Sequence, residues 1–217
     1  MTGLVSASAD LSPNTSLSAV GLPIVEMFHS IQGEGAWCGT NAFFIRLAGC
    51  DVGCPWCDTK ISWSPKAHPH RSIEDLVQAA TAAAPAFVVI TGGEPLMHDL
   101  TDLTRRLKMA GLRIHLETSG SHAFTGEFDW VTLSPKPFKP PLDEIYHRVD
   151  ELKMVVGDSA DFAWAEMQSA KTCDRAVRYL QPEWTRSGEA QSLIFDYVLG
   201  HPQWRMSLQT HKLLGVR

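Results

Sequence analysis

The sequence predicts an α/β fold built on a parallel sheet, and three observations lead there. Short apolar runs rich in Val, Ile, Leu and Phe recur along the chain, the composition of strands covered on both faces. Amphipathic helical patterns lie between some of these runs, as expected of βα units. Polar, glycine-bearing signatures follow just past the strand ends, where parallel barrels and open α/β sheets bind ligands.

Taken in order, strands are expected over residues 24–28, 42–47, 87–91, 113–116, 130–133, 152–156, 177–180 and 206–208. Ile73, Leu76, Val77 and Ala80 repeat at i, i+3, i+4 and i+7. Ser72 is placed to cap that helix, and acids occupy its first turn. Leu100, Leu103, Leu107 and Ala110 repeat in the same way before Gly111. Further helices are expected over 160–170 and 188–199. The proline-rich stretch 135–141 reads as a loop, because strand patterns resume directly after it. Residues 1–20, rich in Ser and Ala, lack the basic and apolar regions of a signal peptide and read as a weakly ordered extension. Residues 21–217 then form a single domain, whose apolar, patterned C-terminal segment (207–217) is expected to dock rather than fray.

A chain of 217 residues with 44% hydrophobic and 20% charged side chains suits one soluble domain with a sizeable core. No apolar run is long enough to span a bilayer. The net charge of −5 argues against a nucleic-acid partner, whose binding leans on phosphate neutralisation, but leaves room for a small anionic metabolite. Five cysteines in a chain of this size argue for reduced thiols and a reducing compartment, the cytoplasm.

The densest chemical signal is Cys50-Asp51-Val52-Gly53-Cys54-Pro55-Trp56-Cys57. Three thiolates in a CxxxCxxC run can hold three irons of a 4Fe–4S cluster and leave the fourth open to a small molecule, whereas electron-transfer clusters are normally closed by four Cys. Structural zinc needs four ligands. Cys38, His68 and His70 are the nearby candidates for a fourth, but no second CxxC or HxxxH completes such a set. Cys38 and Cys173 read by default as structural thiols.

Other signatures surround this run. Thr91-Gly92-Gly93-Glu94-Pro95 ends a strand with two glycines, which allow close approach of a ligand to the backbone. By itself it is also a plain turn. Asp58 and Thr59 follow the last cysteine and offer hard oxygens suited to Mg²⁺, although Asp58 could equally cap the following loop. Arg46, at a strand end, matches a carboxylate ligand or forms an internal ion pair, with Glu34 the nearest candidate. Gln32 and Glu34, flanked by Gly33 and Gly35, could pair with a heterocycle edge or simply lie in an exposed loop. His211 reads more readily as a structural hydrogen-bonding residue than as a catalytic one, and the Arg217 carboxylate is itself a candidate ligand group.

CxxxCxxC followed by Gly-Gly-Glu-Pro resembles the radical S-adenosylmethionine (SAM) superfamily. The blocks FHSIQGEGAWCGTNAFFIRLAGCDVGCPWCDT, ETSG, LSPK, ELKMVV, LQPEW and SLQTHKLLGVR together resemble the 7-carboxy-7-deazaguanine synthase family of the queuosine pathway, from about residue 25 to the C-terminus. Some members have an expanded spacing between the first two cysteines, whereas this chain keeps the shorter superfamily spacing. The resemblance implies a partial (β/α) barrel with fewer helices than strands, usually a homodimer. It implies a cluster on Cys50, Cys54 and Cys57. It implies SAM across Trp56, Asp58, Gly92, Gly93, Glu94, Glu117, Ser134, Lys136 and Gln181. It implies a pterin substrate against Ile31, Gln32, Gly33, Glu34, Arg46, Thr91, His211 and the Arg217 carboxylate, with Mg²⁺ on Thr59 and, as a second ligand, Asp58. The implied reaction converts 6-carboxy-5,6,7,8-tetrahydropterin to 7-carboxy-7-deazaguanine with loss of ammonia, fed by an external electron donor such as a flavodoxin. Two rivals remain: an activase that makes a glycyl radical on a partner protein, which would need an open groove, and a non-catalytic zinc or redox-sensing protein, which has no use for the QGEG, SPK and QTHK segments.

Overall fold

A computed structural model describes residues 21–217, so the expectation for residues 1–20 lies outside the described residues. One sheet of nine strands organises it, in the order β3-β1-β2-β4-β5-β6-β7-β8-β9. The strands are β1 (Leu22–Ile31), β2 (Asn41–Leu47), β3 (His70–Arg71), β4 (Phe87–Gly92), β5 (Ile114–Thr118), β6 (Trp130–Leu133), β7 (Glu151–Val156), β8 (Val177–Pro182) and β9 (Trp204–Met206). From β2 to β9 every pairing is parallel. At one edge the parallel expectation fails: β1 runs antiparallel to both β2 and β3. A chain that returns from β1 to β2 through a short loop can only pair this way, since a parallel return needs a long crossover.

Five α-helices accompany the nine strands: α1 (Ile73–Ala83), α2 (Thr101–Met109), α3 (Asp161–Ser169), α4 (Ser187–Gly200) and the short α5 (Thr210–Leu214). Helix α1 begins as its sequence predicts, with Ser72 Oγ accepting from the Asp75 backbone N–H at 3.1 Å. No helix separates β5 from β6 or β6 from β7, which is why helices are fewer than strands. The last strand lies at 204–206 rather than 206–208, because Trp204 is the buried anchor there and donates its indole N–H to Glu166 at 2.7 Å. Strand β3 and helix α5 were missed, being too short to show a period.

Alternation along the strands separates two faces. Val88, Ile90, Ile114, Leu116, Val131, Leu133, Leu152 and Met154 turn outward into the main core with the helices. Ala42, Phe44, Phe87 and Val89 turn inward and pack with Phe28 and Trp37. This inner apolar floor continues through His115, stacked on Phe87 at 3.8 Å between ring centroids. Farther along the same inward rows, towards the strand C-termini, the residues become Arg46, Thr91, Glu117, Lys153 and Gln181. Parallel pairing brings these rows side by side at one mouth, with Arg46 in register with Thr91 and Val155 with Gln181.

Candidate active site

At that mouth lies a cavity of about 290 Å³. Every residue assigned a site role above from the sequence lines it, from Ile31 to Arg217. The structure also brings in Lys153, Gln209, Trp184 and Ser119, which sequence reasoning did not single out. Lys153 left a trace in the sequence: with Glu151 it interrupts an apolar strand at a spacing of two, the mark of a polar inner face.

Cys50, Cys54 and Cys57 are free thiols, half-buried on one loop. Burial pushes the Cys50 and Cys54 thiols up, and the neighbouring Cys57 adds to this. Cys57 stands beside them at the same cavity wall, and the three together make the donor set an iron–sulfur cluster requires, whose cationic irons would draw the Cys50 and Cys54 thiols to thiolates. Lys136 is close enough to act on Cys54; burial brings its pKa down to about 8 although the cysteines favour its charge. Its ammonium donates to Ser134 O at 2.5 Å and to Ser134 Oγ at 2.8 Å. The candidates for a fourth zinc ligand face elsewhere. His68 and His70 bond the carbonyls of Ile61 and Gly21 at 2.7 and 2.9 Å. Cys38 lies exposed beside Thr210, contrary to a buried thiol. Cys173 packs partly buried against the main core.

The two glycines at the end of β4, Gly92 its last residue and Gly93 the next, have a reason that differs from ligand approach alone. A Cβ on Gly93 would come within 2.2 Å of Gly49 O and 3.0 Å of Cys50 Cβ; one on Gly92, whose φ is +129°, would meet Leu47 O at 2.2 Å. The turn is pressed against the start of the cysteine loop and bonded to it, Gly93 N–H to Leu47 O at 2.9 Å and Glu94 N–H to Gly49 O at 2.8 Å. Glu94 is buried and fully engaged. It accepts from Leu96 N–H at 3.0 Å, Thr118 Oγ1 at 2.5 Å, and Ser119 N–H and Oγ at 2.8 and 2.5 Å. Its carboxylate thereby ties the glycine turn to the end of β5.

Glu117 accepts from Gln32 Nε2 at 3.0 Å and from Thr91 Oγ1 at 2.9 Å. Gln32 in turn accepts from Glu34 N–H at 3.1 Å. Glu34 pairs with Lys153 and not with Arg46; the partner of Arg46 is Glu26, at 2.9 Å. Antiparallel register sets this, since Glu26 lies directly opposite Arg46 on β1. Gly33 is glycine because the His211 ring fills the space, Nδ1 standing 2.1 Å from where a Cβ would lie. Gln181 holds its carbonyl to Ser207 Oγ at 3.0 Å.

The C-terminal segment lies along this side of the cavity by polar ties. Thr210 N–H donates to Gly33 O at 2.9 Å, Ser30 Oγ bonds the Arg217 carbonyl, and Arg217 pairs with Glu26 at 3.0 Å. Its Leu213, Leu214 and Val216 side chains are exposed. Asp58 accepts from Thr59 Oγ1 at 3.1 Å and from Lys212 Nζ at 2.5 Å. Burial would raise the Asp58 carboxyl, but the Lys212 ammonium holds it below the ordinary range.

A mostly parallel sheet with three free cysteines and a glycine turn at its mouth defines a radical SAM protein, and residues 44–156 match the Radical SAM superfamily. Over 95% of its length the chain is 56% identical to a 7-carboxy-7-deazaguanine synthase of Synechocystis, covering 99% of that protein. It is 38% identical to the synthase of Escherichia coli, with 89% of this chain and 98% of that one covered. The crystal structure of QueE from Escherichia coli superposes with a TM-score of 0.77 at 36% identity, over 87% of this chain and 93% of that one. The chain belongs to the 7-carboxy-7-deazaguanine synthase family.

Proposed function

We propose that this protein is a radical SAM lyase that converts 6-carboxy-5,6,7,8-tetrahydropterin to 7-carboxy-7-deazaguanine with release of ammonia. The observation that carries this reading is the joining, in one cavity, of the cysteine loop with the Gln32–Glu34 segment, Arg46 and Arg217. A cluster and a heterocycle with an acidic substituent could be held side by side there. The cysteines and glycine turn fit a 4Fe–4S cluster and SAM, which when bound supply one-electron cleavage and a hydrogen-abstracting carbon radical.

The chain's own residues supply orientation and electrostatics. Glu34 faces the cavity as an acceptor for the amino and N–H donors of a pterin edge. The Arg46 guanidinium, anchored by Glu26, offers charge to the substrate carboxylate. Thr91 donates its hydroxyl to Glu117, so its oxygen is turned outward as an acceptor. Lys136, held by Ser134, places positive charge beside the cysteine loop and would help hold the anionic part of SAM. Thr59 and Asp58 would hold Mg²⁺ as hard oxygen donors. The C-terminal segment along the cavity favours a small molecule over the protein loop an activase must admit.

No helix among the described residues is long and apolar enough to cross a membrane. We place the enzyme in the cytoplasm as a homodimer reduced by a flavodoxin-type donor. Anaerobic reconstitution with iron and sulfide, followed by reductant, SAM, Mg²⁺ and the carboxytetrahydropterin, tests the reading. The deazaguanine product with SAM unconsumed is expected. A brown, SAM-cleaving protein that makes no deazaguanine would overturn the substrate.

A further inference from the structure

Glu34 is held from both sides by residues to which the cluster and SAM assign no task. Lys153, on β7, donates to its Oε2. Gln209, just before α5, donates Nε2 to its Oε1 at 2.8 Å. The Gln209 amide has a defined orientation, because its carbonyl accepts from Lys212 Nζ at 3.0 Å, which turns the NH₂ towards Glu34. The Lys153 and Glu34 side chains are only 9% and 12% exposed.

In so enclosed a place a lone carboxylate would take up a proton. Burial indeed raises Glu34, but the charge and hydrogen bond of Lys153, with help from Gln209 and His211, outweigh it and leave the carboxyl below its ordinary value. Glu117 and, more weakly, Glu151 also favour the charge of Lys153. An ionised carboxylate keeps a free lone pair on each oxygen after these bonds. It can therefore still accept two parallel N–H donors, as the amino-pyrimidinone edge of a pterin presents them. A protonated Glu34 would offer a donor where the ligand already has one.

We propose that Lys153 and Gln209 are positioning residues that keep Glu34 an ionised, orientation-fixed acceptor, so that the site selects a heterocycle edge bearing two adjacent N–H donors. This rests on the substrate reading above. Because Gln209 belongs to the C-terminal segment, recognition of the heterocycle is complete only when that segment lies in place.

The test compares wild type, Lys153→Met and Gln209→Ala, reconstituted anaerobically, by kcat and KM for the carboxytetrahydropterin across a pH series. The change that SAM makes to the EPR signal of the reduced cluster reports SAM binding separately. Gln209→Ala should raise KM about tenfold with a smaller change in kcat, and Lys153→Met should raise it further. In Lys153→Met, kcat/KM should climb with pH through the neutral range, more steeply than in wild type, as Glu34 loses its proton. KM values and pH profiles equal to wild type in both variants would overturn the proposal, as would loss of SAM binding in both. If Lys153→Met does not fold, the half-buried tail residue Gln209 decides alone. A wild-type protein that binds SAM but does not turn over the pterin overturns the substrate reading first, and this proposal with it.

Discussion

Lys212 Nζ lies 2.5 Å from Oδ2 of Asp58, joining the C-terminal helix to the residue that follows the third cysteine. The same ammonium sits over the Trp184 ring at 4.8 Å and bonds Gln209. A chain of contacts thus runs from Lys153 through Glu34, Gln209 and Lys212 to Asp58, from the floor of the site to its rim.

If Asp58 is a ligand of Mg²⁺, Lys212 competes with the metal for its carboxylate. Lys212→Met should then lower the Mg²⁺ concentration for half-maximal turnover by about threefold, and Asp58→Asn should raise it. Mg²⁺ titrations of turnover check both. An unchanged midpoint in the two variants would remove Asp58 from the metal's ligands.

Cys54→Ala should abolish product formation and sharply reduce iron content, because a cluster held by two thiolates lacks the attachment its open-iron geometry needs. Iron and sulfide analysis after reconstitution, with mass detection of product, measures this. Normal activity in the variant would refute the cluster assignment.

Gly93→Ala should destabilise the fold by roughly 2 kcal/mol or more, because the new methyl meets rigid backbone at Gly49 rather than a flexible side chain. Thermal melting and cluster content should fall together, since the clash pushes on the residue just before Cys50. A melting temperature equal to wild type would show that the loop yields freely.

Arg46→Ala should act chiefly on substrate binding, raising KM by about tenfold or more while kcat changes less. Its pair with Glu26 is partly exposed, with 21% and 30% of the two side chains accessible, so the loss of stability should stay below about 1 kcal/mol. Steady-state kinetics and a thermal melt separate the two effects. A variant with unchanged KM would leave Arg46 a structural ion pair only.

Two buried groups give opposite pH slopes. Burial pushes the Glu151 carboxyl up to about 7 from 4.5, so the folded state holds a proton that the unfolded chain gives up. Its contribution is full below about pH 4.5 and is lost as pH rises towards 7. Burial, helped by Arg113, pushes His115 down to about 4 from 6.5. The unfolded chain then takes the proton first, and stability rises with pH between those values. Glu151→Gln should therefore leave the His115 rise uncovered and gain about 1–3 kcal/mol over wild type at pH 8 but not at pH 4. Denaturant unfolding at several pH values measures it. Parallel curves for the two proteins would show that Glu151 titrates normally.

The elements most legible in the sequence were those whose signal is local. Helix α1, with its Ser72 cap, and the strands rich in Val, Ile and Phe appear close to where their side-chain patterns place them. The short β3 and α5 carry too few residues for a period. The turn of β1 back onto β2 as an antiparallel edge is a matter of connection length, which composition does not report. In the site, Gly92 and Gly93 were visible as glycines, but their reason, contact with Leu47 and Gly49, needed the neighbouring loop in three dimensions.

By itself, the sequence marked the cysteine loop as a donor set, because all its thiols lie within eight consecutive residues and their spacing is a local property. It also determined that the active side lies beyond the strand ends, because motif after motif follows a strand. Only the tertiary structure decided who pairs with whom: Arg46 with Glu26, Glu34 with Lys153 and Gln209, Asp58 with Lys212. Such pairings depend on strand register and on which face a side chain takes. A shift of one residue exchanges the faces, so charges far apart in the chain find their partners only once the sheet has set both.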